Sequence, residues 1–176
     1  MRADAKRNRD LLLASAVRLF TERGMDTTLD AVAKDAGVGI GTLYRHFPTR
    51  EALIEAAYRS ELAAVCAAAD ELLAELPPER ALRVWMDRFV DYLITKAGLA
   101  PALNAVIDSG GNPYSDSMRM LTDCFAKLLG PSGLRQDVLP EDLVLGVAAV
   151  GHFAVDRREQ AGRVLDLLMD GLRHRS

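Results

Sequence analysis

Residues 26–51 read "DTTLDAVAKDAGVGIGTLYRHFPTRE". Thr27 or Thr28 is placed to cap a short helix, and Asp30 stands where a capping-box acid belongs if Thr27 is the cap. Ala31, Val32 and Ala36 are small and apolar, and Gly37 offers the positive φ of a tight turn. Residues 39–46 then suit a second helix of about two turns. Leu43 and Phe47, four apart, point inward on it, which leaves Thr42, Tyr44, Arg45 and His46 facing out. Two short helices joined by a glycine turn predict a helix-turn-helix, whose second helix meets base edges and phosphates.

On this reading the glycines at 39 and 41 keep the start of the second helix slim, so that backbone can approach DNA closely. Thr42 and Tyr44 are suited to phosphate, Arg45 to phosphate or guanine, and His46 to phosphate. Charge is distributed to match. The whole chain is acidic, at −3. Residues 1–50 nevertheless hold nine Lys/Arg against six Asp/Glu, with Arg2, Lys6, Arg7 and Arg9 in the first ten positions. A basic head on an acidic body binds a polyanion at one end only.

Working outward, residues 5–23 form an amphipathic pattern on Leu12, Leu13, Ala16, Val17, Leu19 and Phe20, stopped by Gly24. After Pro48 and Thr49 an uninterrupted helix is expected to residue 76, where Pro77 and Pro78 end it. Further helices are expected over 79–97, closed by Gly98, then 100–108, 114–129, 140–155 and 157–174, with an irregular stretch from 130. The chain has 176 residues, 49% apolar and only 6% aromatic, rich in Ala and Leu. Fold class is therefore all-α, with a boundary between a basic helix-turn-helix head at 1–50 and an acidic helical body at 51–176.

No apolar run reaches the roughly 18 residues that span a bilayer. "LLLASAV" (11–17) imitates a signal-peptide core, but Arg18, Glu22 and Arg23 follow at once at helical period, so a cytoplasmic protein with no membrane partner is expected. Cys66 and Cys124 are far apart in sequence and read as inert thiols, with redox sensing as the alternative, and as neither a disulfide framework nor a metal site. His46, His152 and His174 lack metal spacing. No nucleophile elbow, zinc motif or phosphate loop is present, which argues against an enzyme and gives no reason for a cofactor.

Residues 10–55 resemble the N-terminal domain of the tetracycline-repressor (TetR) family of bacterial transcription regulators. The likeness rests on "TTLDAVAKDAGVGIGTLYRHF" (27–47), the pattern T-T-L-x-x-V-A-x-x-A-G-V-x-x-G-T-L-Y-x-H-F. The resemblance implies that Thr28 touches phosphate and that Gly39, Ile40, Gly41 and Thr42 face the groove. It also implies backbone phosphate contacts for Tyr44 and His46 and a phosphate clamp at Arg50. Arg45 falls at a variable family position.

The family's dimeric state has its own support here. "EDLVLGVAAVGHFAV" (141–155) is apolar nearly all round, so it needs partners on more than one side. Leu143, Val147, Val150 and Gly151, with Ala161, Leu165, Leu168 and Leu172 on the last helix, are the expected homodimer interface. The alternative is that 141–155 is buried in its own subunit. Candidate walls of an effector pocket are Trp85, Met86, Phe89, Tyr92, Leu103, Ile107, Met118, Leu121 and Phe125, with Asn104, Asp108 and His152 as polar anchors. The expected function is a repressor that binds a palindromic double-stranded operator and is released by a small-molecule effector of unknown identity. A helical ligand-binding or adaptor protein with a non-functional DNA head is the competing reading.

Overall fold

The computed structural model describes residues 2–173. Eight α-helices follow in order: α1 (Arg2–Arg23), α2 (Leu29–Asp35), α3 (Ile40–His46), α4 (Arg50–Glu75), α5 (Pro78–Asp108), α6 (Ser117–Leu129), α7 (Pro140–His152) and α8 (Arg158–Leu172). Single 3-10 turns occupy Gly24–Asp26 and Gly130–Ser132, and no strand occurs among the described residues. The all-α expectation holds. No described helix is long and apolar enough to cross a membrane. His174 and the expected end of the last helix lie outside the described residues.

The chain forms two compact units. The first takes the chain through Glu61 and adds Thr95–Pro113; the second takes Leu62–Ile94 and the described residues after Pro113. In the first unit, Leu12, Ala16, Leu19 and Phe20 of α1 are buried with Val32 of α2, Leu43 of α3 and Phe47. Leu53, Ile54 and Ala57 of α4, and Leu99, Ala102, Leu103 and Val106 of α5, are buried as well. Each of the larger side chains among them contributes roughly 1.5–3 kcal/mol by leaving water.

One expectation is corrected here. Gly98 does not close a helix, and no second short helix starts at 100: α5 is continuous through Gly98 and Pro101. A Cβ on Gly98 would sit 2.5 Å from the Thr21 Cγ2 atom. The glycine is there for the close approach of α1, not for a turn. Pro101 lacks the N–H that would bond the Ala97 carbonyl, but both residues sit toward solvent, where water can take that acceptor.

The second unit is built on an aromatic cluster. Trp85 meets Phe125 edge-on at 4.9 Å and stacks with Phe89 at 5.5 Å between ring centres. The buried indole N–H donates to the Val65 carbonyl oxygen at 2.8 Å, so the cluster leaves no donor stranded there. α8 is held on α5 by charge: Arg158 donates to Asp91 at 2.6 Å and to Asp87 at 3.0 Å, and Arg83 donates to Asp166 at 2.7 Å. Single exposed pairs contribute little, but these three cross from α5 to α8 at two places along the helices and so fix their register. α7 stops at His152 because Phe153 and Ala154 donate back three residues, to Val150 and Gly151.

Candidate nucleic-acid interface

The interface starts at a cap. Thr28, not Thr27, is the N-cap of α2, its hydroxyl oxygen accepting from the Ala31 N–H at 3.1 Å. The capping box expected of Thr27 and Asp30 is therefore not formed. Thr27 instead buries its hydroxyl, which donates to the Leu19 carbonyl at 2.9 Å. Arg50 secures the same segment: its guanidinium donates to the carbonyls of Thr27 and Met25 and lies 4.8 Å from the Phe20 ring centre. The side chain read as a phosphate clamp is thus already engaged within the protein.

α2 ends in a Schellman turn. The Val38 N–H donates to the Ala33 carbonyl at 2.9 Å and the Gly37 N–H to Lys34 at 3.2 Å, with Gly37 at φ +66°. Arg18 of α1 donates to Asp35 on the last turn of α2 and holds that carboxyl below the ordinary carboxylate range. These contacts fix where α3 begins.

On α3, Leu43 and Phe47 point into the core as expected. Tyr44 is 50% exposed, Ile40 and Arg45 are exposed, and Thr42 and His46 are half-buried. The Arg45 Nε donates to the Gly41 carbonyl one turn back at 3.2 Å, leaving the terminal nitrogens as further donors. Gly39 and Gly41 are exposed, neither has a positive φ, and a Cβ added to either would meet nothing within 4 Å. The isolated chain does not need glycine at these positions.

One basic group enters that the motif does not contain. The Arg9 guanidinium lies 5.5 Å from the Phe47 ring centre, beside the C-terminal end of α3. No local spacing links positions 9 and 47; the general basicity of the first ten residues is its only trace in the sequence.

The residues expected to line an effector pocket are dispersed. Trp85, Met86, Phe89, Leu121 and Phe125 are buried with Tyr92 in the second unit, where the rings pack on one another. Met118 and His152 of that unit are exposed. Leu103, Asn104, Ile107 and Asp108 belong to the first unit, Leu103 buried and the other three exposed. Surface cavities of about 430 Å³ (around Arg80, Arg83 and Arg173), 370 Å³ (around Phe153 and Val164) and 280 Å³ (around Cys66 and Cys124) use none of these twelve side chains.

Of the expected interface residues, Leu143, Val147, Gly151, Ala161, Leu165 and Leu172 are buried within the protomer, and Val150 and Leu168 are half-buried. The outward apolar side chains are different ones: Leu145 at 60%, Phe153 at 70%, Val155 at 53% and Leu167 at 69% exposure. Positions 143, 147 and 151 and positions 145, 149 and 153 are two stripes of equal period on one stretch of chain, and periodicity does not say which faces in.

Comparison with known proteins agrees across the chain. The profile of bacterial regulatory proteins of the tetR family matches residues 12–57, and that of the SbtR-like transcriptional regulator C-terminal domain matches residues 77–174. A TetR transcriptional regulator from Streptomyces coelicolor is 48% identical, superposes with a TM-score of 0.89, and the alignment covers 96% of this chain and 99% of that one. A TetR transcription regulatory protein from Mycobacterium vanbaalenii is 31% identical, with a TM-score of 0.76 and coverage of 98% and 99%. An HTH-type transcriptional regulator of Staphylococcus aureus (strain USA300) is 44% identical over 54 residues, 30% of this chain. That match spans only 29% of the curated relative's length.

Proposed function

The chain belongs to the tetR family of bacterial regulatory proteins, and from that membership we propose a ligand-responsive repressor that binds a palindromic operator as a homodimer. It is a transcriptional regulator of that family, not an enzyme. The finer reading rests on one observation. Gly39 and Gly41 flank the exposed start of α3 with no packing or conformational need for glycine, next to a half-exposed Tyr44. Bare backbone beside an outward phenol suits close contact with a duplex and its phosphates.

In this reading residues 1–50 are the DNA-binding head. Thr28, Tyr44 and His46 reach phosphates, Ile40 meets a thymine methyl, Thr42 flanks the groove, and Arg45 contacts phosphate or guanine. Arg50 acts by holding the segment that carries the α2 cap. Residues 51–176 bind the effector and dimerise, with Leu145, Phe153 and Leu167 meeting a second copy. A twofold pair presents two heads to the two half-sites of a palindrome. The effector is a small molecule that binds the DNA-released state more tightly than the DNA-bound one. The site of action is the cytoplasm.

The test is titration of the protein onto its own upstream DNA over a series of salt concentrations. Specific, salt-sensitive binding that Tyr44→Ala abolishes supports the reading. Equal affinity for random DNA, unaffected by Tyr44→Ala, overturns it and favours the adaptor with a non-functional head.

A further inference from the structure

Cys66 on α4 and Cys124 on α6 are 58 positions apart in sequence, and the fold brings them together. The Cys124 thiol reaches the Cys66 carbonyl oxygen at 4.0 Å, and the Cys66 thiol reaches the Met120 carbonyl, one turn before Cys124, at 4.0 Å. One turn further along both helices, Lys127 donates to the two carboxylate oxygens of Asp70 at 2.8 and 3.0 Å, which holds α4 and α6 in register beside the thiols. Both cysteines line a surface cavity of about 280 Å³. Cys66 is half-buried and Cys124 buried, so the pair has an accessible and a protected member.

We propose that Cys66 and Cys124 are a redox pair, closed into a reversible intrachain disulfide by a hydroperoxide that enters this cavity.

The chemistry divides between the two thiols. The neighbouring Cys124 thiol holds the Cys66 thiol below its ordinary value, with Lys127 helping and burial and Asp123 opposing. Cys124 is held above its ordinary value by the Cys66 thiol beside it and by burial, so it keeps its proton. The Cys66 thiolate attacks the terminal peroxide oxygen; the O–O bond breaks and the alcohol, or water from hydrogen peroxide, leaves with a proton from solvent. Cys66 is then a sulfenic acid. Cys124 gives up its proton and attacks the Cys66 sulfur, the S–O bond breaks and water leaves. The two thiols lose two electrons in total, and the peroxide takes both. The bond joins α4 to α6 and closes a long loop of the unfolded chain, which raises the unfolding midpoint. None of this depends on whether the chain reads DNA.

Full-length protein is exposed to hydrogen peroxide, alkylated under denaturing conditions, and analysed by intact mass and peptide mapping. The expected result is joint loss of both alkylatable thiols, a mass lower by two hydrogens and a Cys66–Cys124 cross-linked peptide, all reversed by dithiothreitol. Cys124→Ser leaves Cys66 as a sulfenic acid that dimedone traps; the cross-link map of the unaltered chain decides the matter even if that variant fails to fold. Persistence of both free thiols, a disulfide that joins two copies, or sulfinic acid without the cross-link overturns the proposal.

Discussion

The Arg50 guanidinium, in the first turn of α4, donates to the main-chain carbonyl of Thr27, the residue before the cap of α2. A second nitrogen donates to the Met25 carbonyl at 2.9 Å, and the guanidinium carbon lies over the Phe20 ring. Hydrogen bonds from charged donors contribute about 1.5–3 kcal/mol each. Arg50→Ala is therefore expected to lower stability by about 2 kcal/mol, read as a lower urea midpoint. Arg50→Lys restores only part of it, because one ammonium does not match a planar fork resting on a ring. A wild-type midpoint for Arg50→Ala is the contrary result.

Gly41→Ala and Gly37→Ala should move stability in opposite directions. Gly41 is helical with open space beside it, so alanine raises helix propensity and stabilises by up to about 1 kcal/mol. Gly37 sits at φ +66°, where a Cβ costs about 1–2 kcal/mol. Thermal melts of the two variants measure the difference. If α3 is approached closely by a duplex, the more stable Gly41→Ala is also the weaker DNA binder.

Tyr44→Phe isolates the hydroxyl. The ring is half-exposed, so melting should hardly change, within about 0.5 kcal/mol. Operator affinity should fall by roughly tenfold, the scale of about 1.4 kcal/mol for one hydrogen bond to a charged oxygen. Fluorescence anisotropy with labelled operator measures it, and an unchanged Kd would remove Tyr44 from the contact.

Gly151→Ala should overpack the second unit. Its Cβ would overlap Leu93 Cδ1 and lie 3.0 Å from Leu93 Cβ. The terminal methyl can turn away but the Cβ cannot, so a loss of about 1–3 kcal/mol is expected in chemical denaturation.

Glu61 sets a pH dependence. Half burial raises its carboxyl above the ordinary value, so the ionised form that prevails once pH passes that raised value is the costly one in the folded state. A folded-state value above the unfolded one means the folded chain binds the extra proton, and stability from this group falls as pH rises through that interval. Glu61→Gln removes the titration. It is expected to melt higher than the wild type at neutral pH, with the gain shrinking as both are acidified. Parallel melting curves at all pH values would contradict this.

The head of the molecule is legible in the sequence because its signals are local. A threonine cap, a glycine that must adopt positive φ and an i, i+4 pair of inward side chains each act over a few residues, and Thr28, Gly37, Leu43 and Phe47 behave accordingly. What is not legible comes from distant partners. Gly98 has the composition of a helix stop but exists to admit Thr21. Arg50 reads as free charge until Thr27 and Met25 arrive from the preceding turn. α7 carries two apolar stripes of one period, and only packing against Leu93 shows that the stripe with Gly151 faces inward. The Cys66–Cys124 pairing has no local signature at all.

The Thr21–Gly98 contact also bears on how such a protein diversifies. The first unit recruits Thr95–Pro113 from far along the chain, so its interior is completed by residues outside the head's own stretch of sequence. A chimaera that exchanges the first fifty residues for those of another regulator carries a foreign α1 onto a surface shaped for threonine against glycine. Heads that place a bulkier residue at that crossing would graft poorly whatever operator they read, and a compensating change near position 98 would be the first place for a rescuing substitution to arise.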